Sequence, residues 1–185
     1  MPSKNLKKAV PPVSEWSVKR HGIQLFIDAP IRSFKAGVSL DVEDDERGGF
    51  VGLGIFDHHS RSAYYWSRFE LAKQLTIPPF CAHNGRSDLE KLKAWGFAVD
   101  ETYLIHDTQL YAHIIDSSRK MYGLKPLVKA EFNEEYPSYE DLTGKKTGKN
   151  HITLDKLPVE LVAEYNACDT WYTWKLYDRQ SKTLY

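Results

Sequence analysis

Two acidic residues, Asp41 and Glu43, lie two positions apart in the segment 38–43, whose sequence is Val-Ser-Leu-Asp-Val-Glu. Apolar and polar residues alternate there, which predicts a β-strand with its apolar side chains in a core and both carboxylates on the opposite face. Carboxylates that share a strand face repel each other and lose solvation on burial unless a cation lies between them. The pair therefore predicts a divalent metal ion held by hard oxygen ligands.

Two further pairs of polar residues show the spacing of a helix. Asn84 precedes Asp88 by four positions, and Tyr165 precedes Asp169 by four. Residues four positions apart share one face of a helix, so each pair can point into one site if its segment is helical. Either pair alone is a weak signal. Together with the strand pair, they predict a site of four carboxylates and one tyrosine.

The candidate site residues must be positioned by the strands of a sheet. Short apolar segments predict five strands, at residues 38–43, 50–56, 63–66, 80–83 and 103–106, and residues 24–27 are a further short candidate. Polar turns between the first three of the five predict an antiparallel meander. The glycines of the second strand (Phe-Val-Gly-Leu-Gly-Ile-Phe) allow close approach either of a ligand or of a packed helix.

Helices are predicted between and after these strands. They occupy residues 68–75, 84–95, 108–116, 124–132 and 158–177. Asp107 is a suitable N-cap for the third helix, and Pro158 suits the first turn of the last one. The lysine-rich segment 137–153 is predicted to be a loop.

The composition is typical of a globular protein, with 42% hydrophobic residues, 27% charged residues and a formal net charge of zero. This balance argues against holding long nucleic-acid duplexes by charge alone, but not against binding a few nucleotides. No apolar run approaches the ~18 residues of a membrane span. We expect a mobile basic tail at 1–13, a single domain at 14–185, and a cytoplasmic protein without membrane association.

The three motifs occur as Asp-x-Glu on the central strand, Asn-x-x-x-Asp after a later strand, and Tyr-x-x-x-Asp on the last helix. This combination resembles the DEDDy 3′–5′ exonucleases. Over about residues 36–178 the sequence is similar to the proofreading exonuclease domain of family A DNA polymerases. Three further segments carry the likeness: His-Asp-Thr-Gln-Leu at 106–110, Gly-Leu-Lys-Pro-Leu at 123–127, and Tyr-Glu-Asp-Leu-Thr-Gly-Lys at 139–145.

The resemblance implies an α/β, ribonuclease H-like fold, with a mixed five-stranded sheet flanked by helices on both sides. It also implies a site in which Asp41, Glu43 and Asp169 ligate one metal ion. Asp41 would bridge to a second ion, which Asp88 would hold mainly through water. Two Mg²⁺ or Mn²⁺ ions about 3.5–4 Å apart can flank a phosphodiester and activate a water molecule.

The resemblance also implies roles for the remaining candidate residues. Tyr165 would orient the attacking water, with Glu43 as its partner, because an unperturbed tyrosine titrates near ~10 and is a poor base at neutral pH. Asn84 would lie near the terminal nucleotide, and its residue type also suits the N-cap of the helix that follows, so both roles stay open. Independently of the resemblance, the zero net charge predicts a weak hold on DNA through a few phosphates near Arg86 and Lys91.

The family likeness implies a protein that works beside DNA. The implied activity is removal of nucleoside monophosphates from DNA 3′ ends, as proofreading during DNA replication. The implied partners are a single-stranded DNA 3′ end and a DNA polymerase, either in the same chain or in trans. We expect a monomer in the cytoplasm with the DNA, at the nucleoid or in a phage replication complex.

Two positions depart from the family pattern. Asp44 stands where a threonine often follows the Asp-x-Glu motif, and Arg47 stands near the position of an apolar wedge residue. We expect the acidic side chain to weaken substrate approach. The missing wedge leaves open how a duplex end is melted.

Several alternatives compete with this interpretation. The same chemistry on RNA ends, as in ribonuclease D, is the runner-up. A catalytically silent module beside a polymerase is disfavoured, because such modules lose carboxylates. A zinc site from Cys81, His83 and His113 lacks any standard spacing. The histidine-type exonucleases need a histidine where this chain has Glu164.

Overall fold

A mixed six-stranded sheet forms the centre of the described chain. A computed structural model describes residues 17–184, so the predicted basic tail at 1–13 lies outside the described residues. The strands are β1 (Gln24–Ile27), β2 (Val38–Asp44), β3 (Phe50–Asp57), β4 (Ser62–Trp66), β5 (Phe80–Ala82) and β6 (Leu104–Asp107). All five predicted strands are present, each with its ends within one residue of the prediction.

The strands lie in the order β1-β4-β3-β2-β5-β6. The predicted antiparallel meander of β2, β3 and β4 is confirmed, and β5 and β6 extend the sheet in parallel with β2. The count of five strands was wrong, because β1 pairs in parallel with β4 as a sixth strand at the sheet edge. The sequence marked residues 24–27 as a short candidate strand and these are the residues of β1, whereas their pairing with β4 at the sheet edge depends on the folded chain.

Helices cover both faces of the sheet, as predicted. They are α1 (Ser17–Arg20), α2 (Phe69–Ala72), α3 (Gly85–Ala94), α4 (Thr108–Ile115), α5 (Leu124–Phe132), α6 (Tyr139–Thr143) and α7 (Val159–Leu184). On one face Leu40 of β2 packs with Leu89 and Leu92 of α3. On the other face Phe56 of β3 packs edge-on against Trp171 of α7, with 5.0 Å between ring centroids. The ribonuclease H-like α/β class is therefore confirmed apart from the strand count.

The last helix is longer than predicted. It continues to Leu184 instead of ending near residue 177. Beyond that point Gln180 is buried, where its Nε2 donates to the Thr108 carbonyl oxygen at 2.9 Å and its Oε1 lies 2.9 Å from Nε2 of His106. These tertiary contacts stabilise the added turns. No helix within residues 17–184 combines the length and apolarity needed to cross a membrane.

The segment predicted to be a loop contains a short helix. Ser138 caps α6 by accepting from the backbone N–H of Asp141, and the Asp141 carboxylate accepts from the backbone N–H of Ser138 in return. This reciprocal arrangement is a capping box, which satisfies backbone donors at the start of a helix. The prediction of a loop throughout 137–153 was therefore wrong at residues 139–143.

Candidate active site

Three carboxylates meet between the central strand and the last helix. Asp41 and Glu43 come from β2 and Asp169 from α7, and one carboxylate oxygen from each lies within 4.8 Å of the others. Asp41 is half-buried, while Glu43 is 9% and Asp169 7% exposed. In the described part of the chain, no other group of three or more His, Cys, Asp or Glu side chains gathers in this way. An all-oxygen set of this kind fits Mg²⁺ or Mn²⁺.

The period of the strand places the first two carboxylates on the side facing α7. Ser39 lies on the same strand face, and its hydroxyl donates to the carbonyl oxygen of Thr170 at 2.6 Å in a buried hydrogen bond. Thr170 directly follows Asp169, so this bond ties the helix to the strand beside the carboxylate cluster. The three motif carboxylates are therefore brought together by one strand, one helix and a buried link between them.

Asp88 lies beside the edge of β2 that β5 leaves unpaired. β5 pairs with β2 only as far as Ser39, so the backbone N–H of Val42 has no strand partner on that side. The Oδ1 atom of Asp88 accepts from that N–H at 3.1 Å, and the side chain is 5% exposed. Asp88 lies outside the group of three, but its charge contributes to the raised pKa of Asp41.

Burial makes the ionised carboxylates costly in the absence of a cation. Burial first, and then the charges of Glu43, Asp88 and Asp169, raise the pKa of Asp41 well above its ordinary value. Burial and the charge of Asp169 raise the pKa of Glu43 to about 7. Burial likewise raises the pKa of Asp88 to about 7. Such a cluster stores electrostatic repulsion that a bound divalent cation would relieve.

Tyr165 lies beside the cluster as a neutral phenol. Its hydroxyl oxygen accepts from Nζ of Lys125 at 2.9 Å, and the residue is 6% exposed. Burial, followed by the charges of Asp169, Glu43 and Asp41, raises the pKa of Tyr165 well above 10. A phenol held neutral can orient a water molecule but cannot act as the base near neutral pH.

Two residues that contact Asp169 were not predicted as part of the site. Nζ of Lys125 lies 2.5 Å from Oδ1 of Asp169, and the buried Tyr136 hydroxyl donates to the same oxygen at 2.5 Å. They lie 44 and 33 positions from Asp169 in the sequence, so no motif spacing links them to it. The presence of Lys125 in the family-like segment 123–127 was the only available sequence signal.

Asn84 precedes α3 but does not cap it with its side chain. The residue has a left-handed backbone with φ 58°, and its side chain makes no capping hydrogen bond among residues 17–184. Asp107 supplies the acceptors instead, taking the N–H groups of Asn84 at 3.1 Å and Gly85 at 2.9 Å. Asp107 also caps α4, as predicted, through the N–H groups of Gln109 and Leu110. The side chain of Asn84 is exposed, and its substrate-binding role stays a prediction.

The two basic residues predicted to bind substrate are both in ion pairs. Nε of Arg86 lies 2.9 Å from Oε1 of Glu90 on the exposed face of α3. Nζ of Lys91 lies 2.7 Å from Oδ1 of Asp44. The unusual acid after the Asp-x-Glu motif is thus partnered by a lysine, although whether either basic residue binds substrate stays a prediction.

The fold and the carboxylate cluster fit the exonuclease class of nucleases. The chain belongs to the 3′–5′ exonuclease family, whose model matches residues 37–184. The match includes every residue of the predicted site.

A curated relative and several solved structures are similar to this chain. DNA polymerase I of Chloroflexus aurantiacus is 35% identical over 108 residues, which are 57% of this chain and 11% of that protein. The chain therefore spans about a tenth of that relative. Brucella melitensis NrnC bound to pGG has a TM-score of 0.63 at 15% identity, over 88% of this chain and 82% of that chain. The same protein with bound Mg²⁺ also has a TM-score of 0.63, at 16% identity over the same shares. At such identities the two structures show the fold alone.

Proposed function

We propose that this chain is a metal-dependent DEDDy-type 3′–5′ exonuclease that removes nucleoside monophosphates from DNA 3′ ends and serves in proofreading. The observation that carries the proposal is the meeting of the half-buried Asp41 with the buried Glu43 and Asp169 beside Tyr165. Nothing in the packing of a strand against a helix requires three acids at one point. A cation-binding role accounts for their placement.

In this proposal the four motif carboxylates together bind two metal ions. Asp41, Glu43 and Asp169 would bind one ion, and Asp41 would share the second with Asp88 acting through water. Such ions lower the pKa of a bound water and neutralise the charge that develops on the phosphodiester. The raised pKa values of Asp41, Glu43 and Asp88 follow first from burial and then from the charges of neighbouring acids, and a bound cation would offset both.

Tyr165 would orient the attacking water together with Glu43. Because the Tyr165 oxygen accepts from Lys125, its own hydrogen is available to donate to another acceptor in the site. In this proposal the positive charge of Lys125, which lies beside Asp169, would also help to stabilise the negative charge of a substrate phosphate. We extend the substrate-binding proposal to Asn84, Arg86 and Lys91, which lie on or just before α3.

DNA is the favoured substrate because the curated relative is a DNA polymerase I. A polymerase in cis or in trans would then deliver the 3′ end, and the protein would be found with the DNA in the cytoplasm. Within this proposal the residues from 14 onward are one monomeric exonuclease domain.

A ribonuclease D-like activity on RNA ends is the second candidate. It is favoured by the fold shared with Brucella melitensis NrnC bound to pGG. That likeness is one of fold and leaves the substrate of this chain as a matter for experiment.

A nuclease assay with matched oligonucleotides tests both candidates and the silent alternative. Labelled DNA and RNA strands of one sequence, together with a dinucleotide, are incubated with the protein in Mg²⁺, in Mn²⁺ and in chelator. Shortening of DNA from the 3′ end that requires metal supports the proposal. Faster RNA or dinucleotide cleavage favours the second candidate. No cleavage by the wild type, or equal cleavage by Asp41→Asn, overturns the assigned site.

A further inference from the structure

Asn166 lies inside the carboxylate cluster without being one of its motif residues. It follows Tyr165 on α7 and is 1% exposed. Its Nδ2 lies 2.8 Å from Oδ2 of Asp41 and 3.3 Å from Oε1 of Glu43, and it also lies 3.3 Å from the carbonyl oxygen of Asp41. One neutral amide group therefore donates to both acids of the central strand.

A glycine on the neighbouring strand makes the space for this amide. Gly54 of β3 pairs with Asp41 of β2, directly across from it. A Cβ atom on Gly54 would lie 1.5 Å from Oδ1 of Asn166, which no side chain could tolerate. Close approach of the packed helix, one of the two interpretations of the strand glycines, is therefore what this glycine permits.

The orientation of the amide is set by the acids. Oδ1 of Asn166 is buried and has no hydrogen-bond partner in residues 17–184. An unpaired buried carbonyl costs free energy, yet the reversed amide would set that oxygen against two carboxylates. The chain keeps the N–H groups on the acids and leaves the carbonyl unpaired beside the glycine.

We propose that Asn166 is a positioning residue that holds Asp41 and Glu43 in the orientation needed to bind a divalent cation. This inference rests on the proposed metal site. The Asn166 amide donates to lone pairs of both carboxylates without adding charge. The lone pairs that remain on Asp41 and Glu43 are then directed at the cation. An aspartate at the same position would add repulsion, and an apolar residue would leave both acids without this donor. Partners that orient metal ligands commonly change metal affinity by about 10–100-fold when removed.

Metal binding by the folded protein tests the proposal without relying on activity. Mn²⁺ titrations followed by electron paramagnetic resonance give the affinity for wild type, Asn166→Leu and Asn166→Ala. We expect both variants to bind Mn²⁺ at least about tenfold more weakly. In metal-titrated assays, the Mn²⁺ concentration for half-maximal rate should rise by a similar factor, while kcat at saturating Mn²⁺ falls less.

Gln180→Leu is the matched control, because it removes another buried amide from α7 that contacts His106 and Thr108 instead of the acids. It should lower thermal stability without changing Mn²⁺ affinity. Asn166→Leu binding Mn²⁺ within twofold of wild type would overturn the inference. Asp41→Asn distinguishes the two proposals: if neither it nor Asn166→Leu changes Mn²⁺ binding, the metal site itself is misassigned.

Gly54→Ala gives a second, structural test. The added methyl should displace Asn166 and weaken Mn²⁺ binding in the wild-type background. In the Asn166→Ala background the same change should have less effect on both melting temperature and Mn²⁺ affinity, because the clashing amide is gone. Equal effects of Gly54→Ala in the two backgrounds would contradict the proposed packing.

Discussion

Nζ of Lys125 lies 2.5 Å from Oδ1 of Asp169, so the protein places its own cation on a carboxylate that we assign to metal binding. The side chain of Lys125 is 27% exposed and that of Asp169 9%. The ammonium group also lies over the rings of Tyr136 and Tyr165, at 4.7 and 4.4 Å from their centroids. In the absence of metal, Lys125 offsets part of the negative charge that the cluster concentrates.

Removing this lysine should destabilise the metal-free protein more than the metal-bound one. We expect Lys125→Met to lower the melting temperature in chelator by several degrees, at about 2–4 °C per kcal/mol of lost stability. Because the competing cation is gone, Mg²⁺ should then raise the melting temperature more than it does in wild type. Lys129→Met, on the exposed side of α5, is the control. The same Mg²⁺-induced shift in Lys125→Met and wild type would contradict this account.

The raised carboxylate pKa values predict that the metal-free protein becomes less stable as pH rises. Glu43 and Asp88 titrate at about 7 in the folded protein, against ordinary values of 4.5 and 3.8. The folded state therefore binds protons more tightly than the unfolded state. This stabilisation is fully present below about pH 4 and is lost as pH rises through about 7.

Mg²⁺ should change this profile, because it binds the deprotonated acids and releases their protons. We expect its affinity to rise as pH increases from about 6 to 8. Melting curves in chelator and in Mg²⁺ over this range measure both effects, and Glu43→Gln should flatten the chelator profile. Metal-free stability that rises steadily from pH 5 to 8 would be incompatible with these shifts.

Ligands and orienting groups should differ in the size of their effects on cleavage. Asp41→Asn should abolish 3′ cleavage, since it alters the carboxylate assigned to both metal ions. Tyr165→Phe should reduce the rate by about 10–100-fold, because it removes only an orienting hydroxyl. Tyr177→Phe, on the same helix beside His106, is the control. Single-turnover rates on a labelled oligonucleotide compare the three, and a fully active Asp41→Asn would refute the ligand assignment.

The Lys91–Asp44 ion pair should determine how tightly the site binds a phosphate of the substrate. If Lys91 must leave Asp44 to reach the substrate, Asp44→Ala should strengthen single-stranded DNA binding, and Lys91→Ala should weaken it. Loss of one phosphate contact should reduce the slope of log affinity against log salt by about 1. Lys93→Ala is the control, because Lys93 lies on the same helix as Lys91 but pairs with Glu101, which lies beyond the end of that helix. Unchanged affinity in both variants would remove Lys91 from the substrate path.

Processivity should show whether the domain depends on a polymerase. The 25 basic residues are balanced by 25 acidic ones, so we expect a weak hold on long single strands. Digestion of a labelled strand in the presence of an excess trap oligonucleotide should stop after one or a few nucleotides per encounter. Hundreds of cuts per encounter would instead indicate a nuclease that trims 3′ ends unaided.

The sequence by itself determined the parts of the site that depend on local periodicity. The alternation in 38–43 placed Asp41 and Glu43 on one strand face, and the spacing of four placed Tyr165 and Asp169 on one helix face. Both patterns report backbone geometry within a few residues, which side-chain order alone reveals. The strand ends and the meander followed from the same signals, whereas the α/β, ribonuclease H-like class was implied by the family resemblance.

The tertiary structure decided everything that depends on which distant segments touch. Asn166 contacts Asp41 across 125 positions, and Lys125 contacts Asp169 across 44. Likewise, Asp107 rather than Asn84 caps α3 because β5 and β6 lie side by side. Such contacts arise from sheet order and helix packing, and local propensity carries no information about them. The motif carboxylates could thus be predicted from the sequence, whereas Asn166 and Lys125, which contact them, appeared only when the chain was folded.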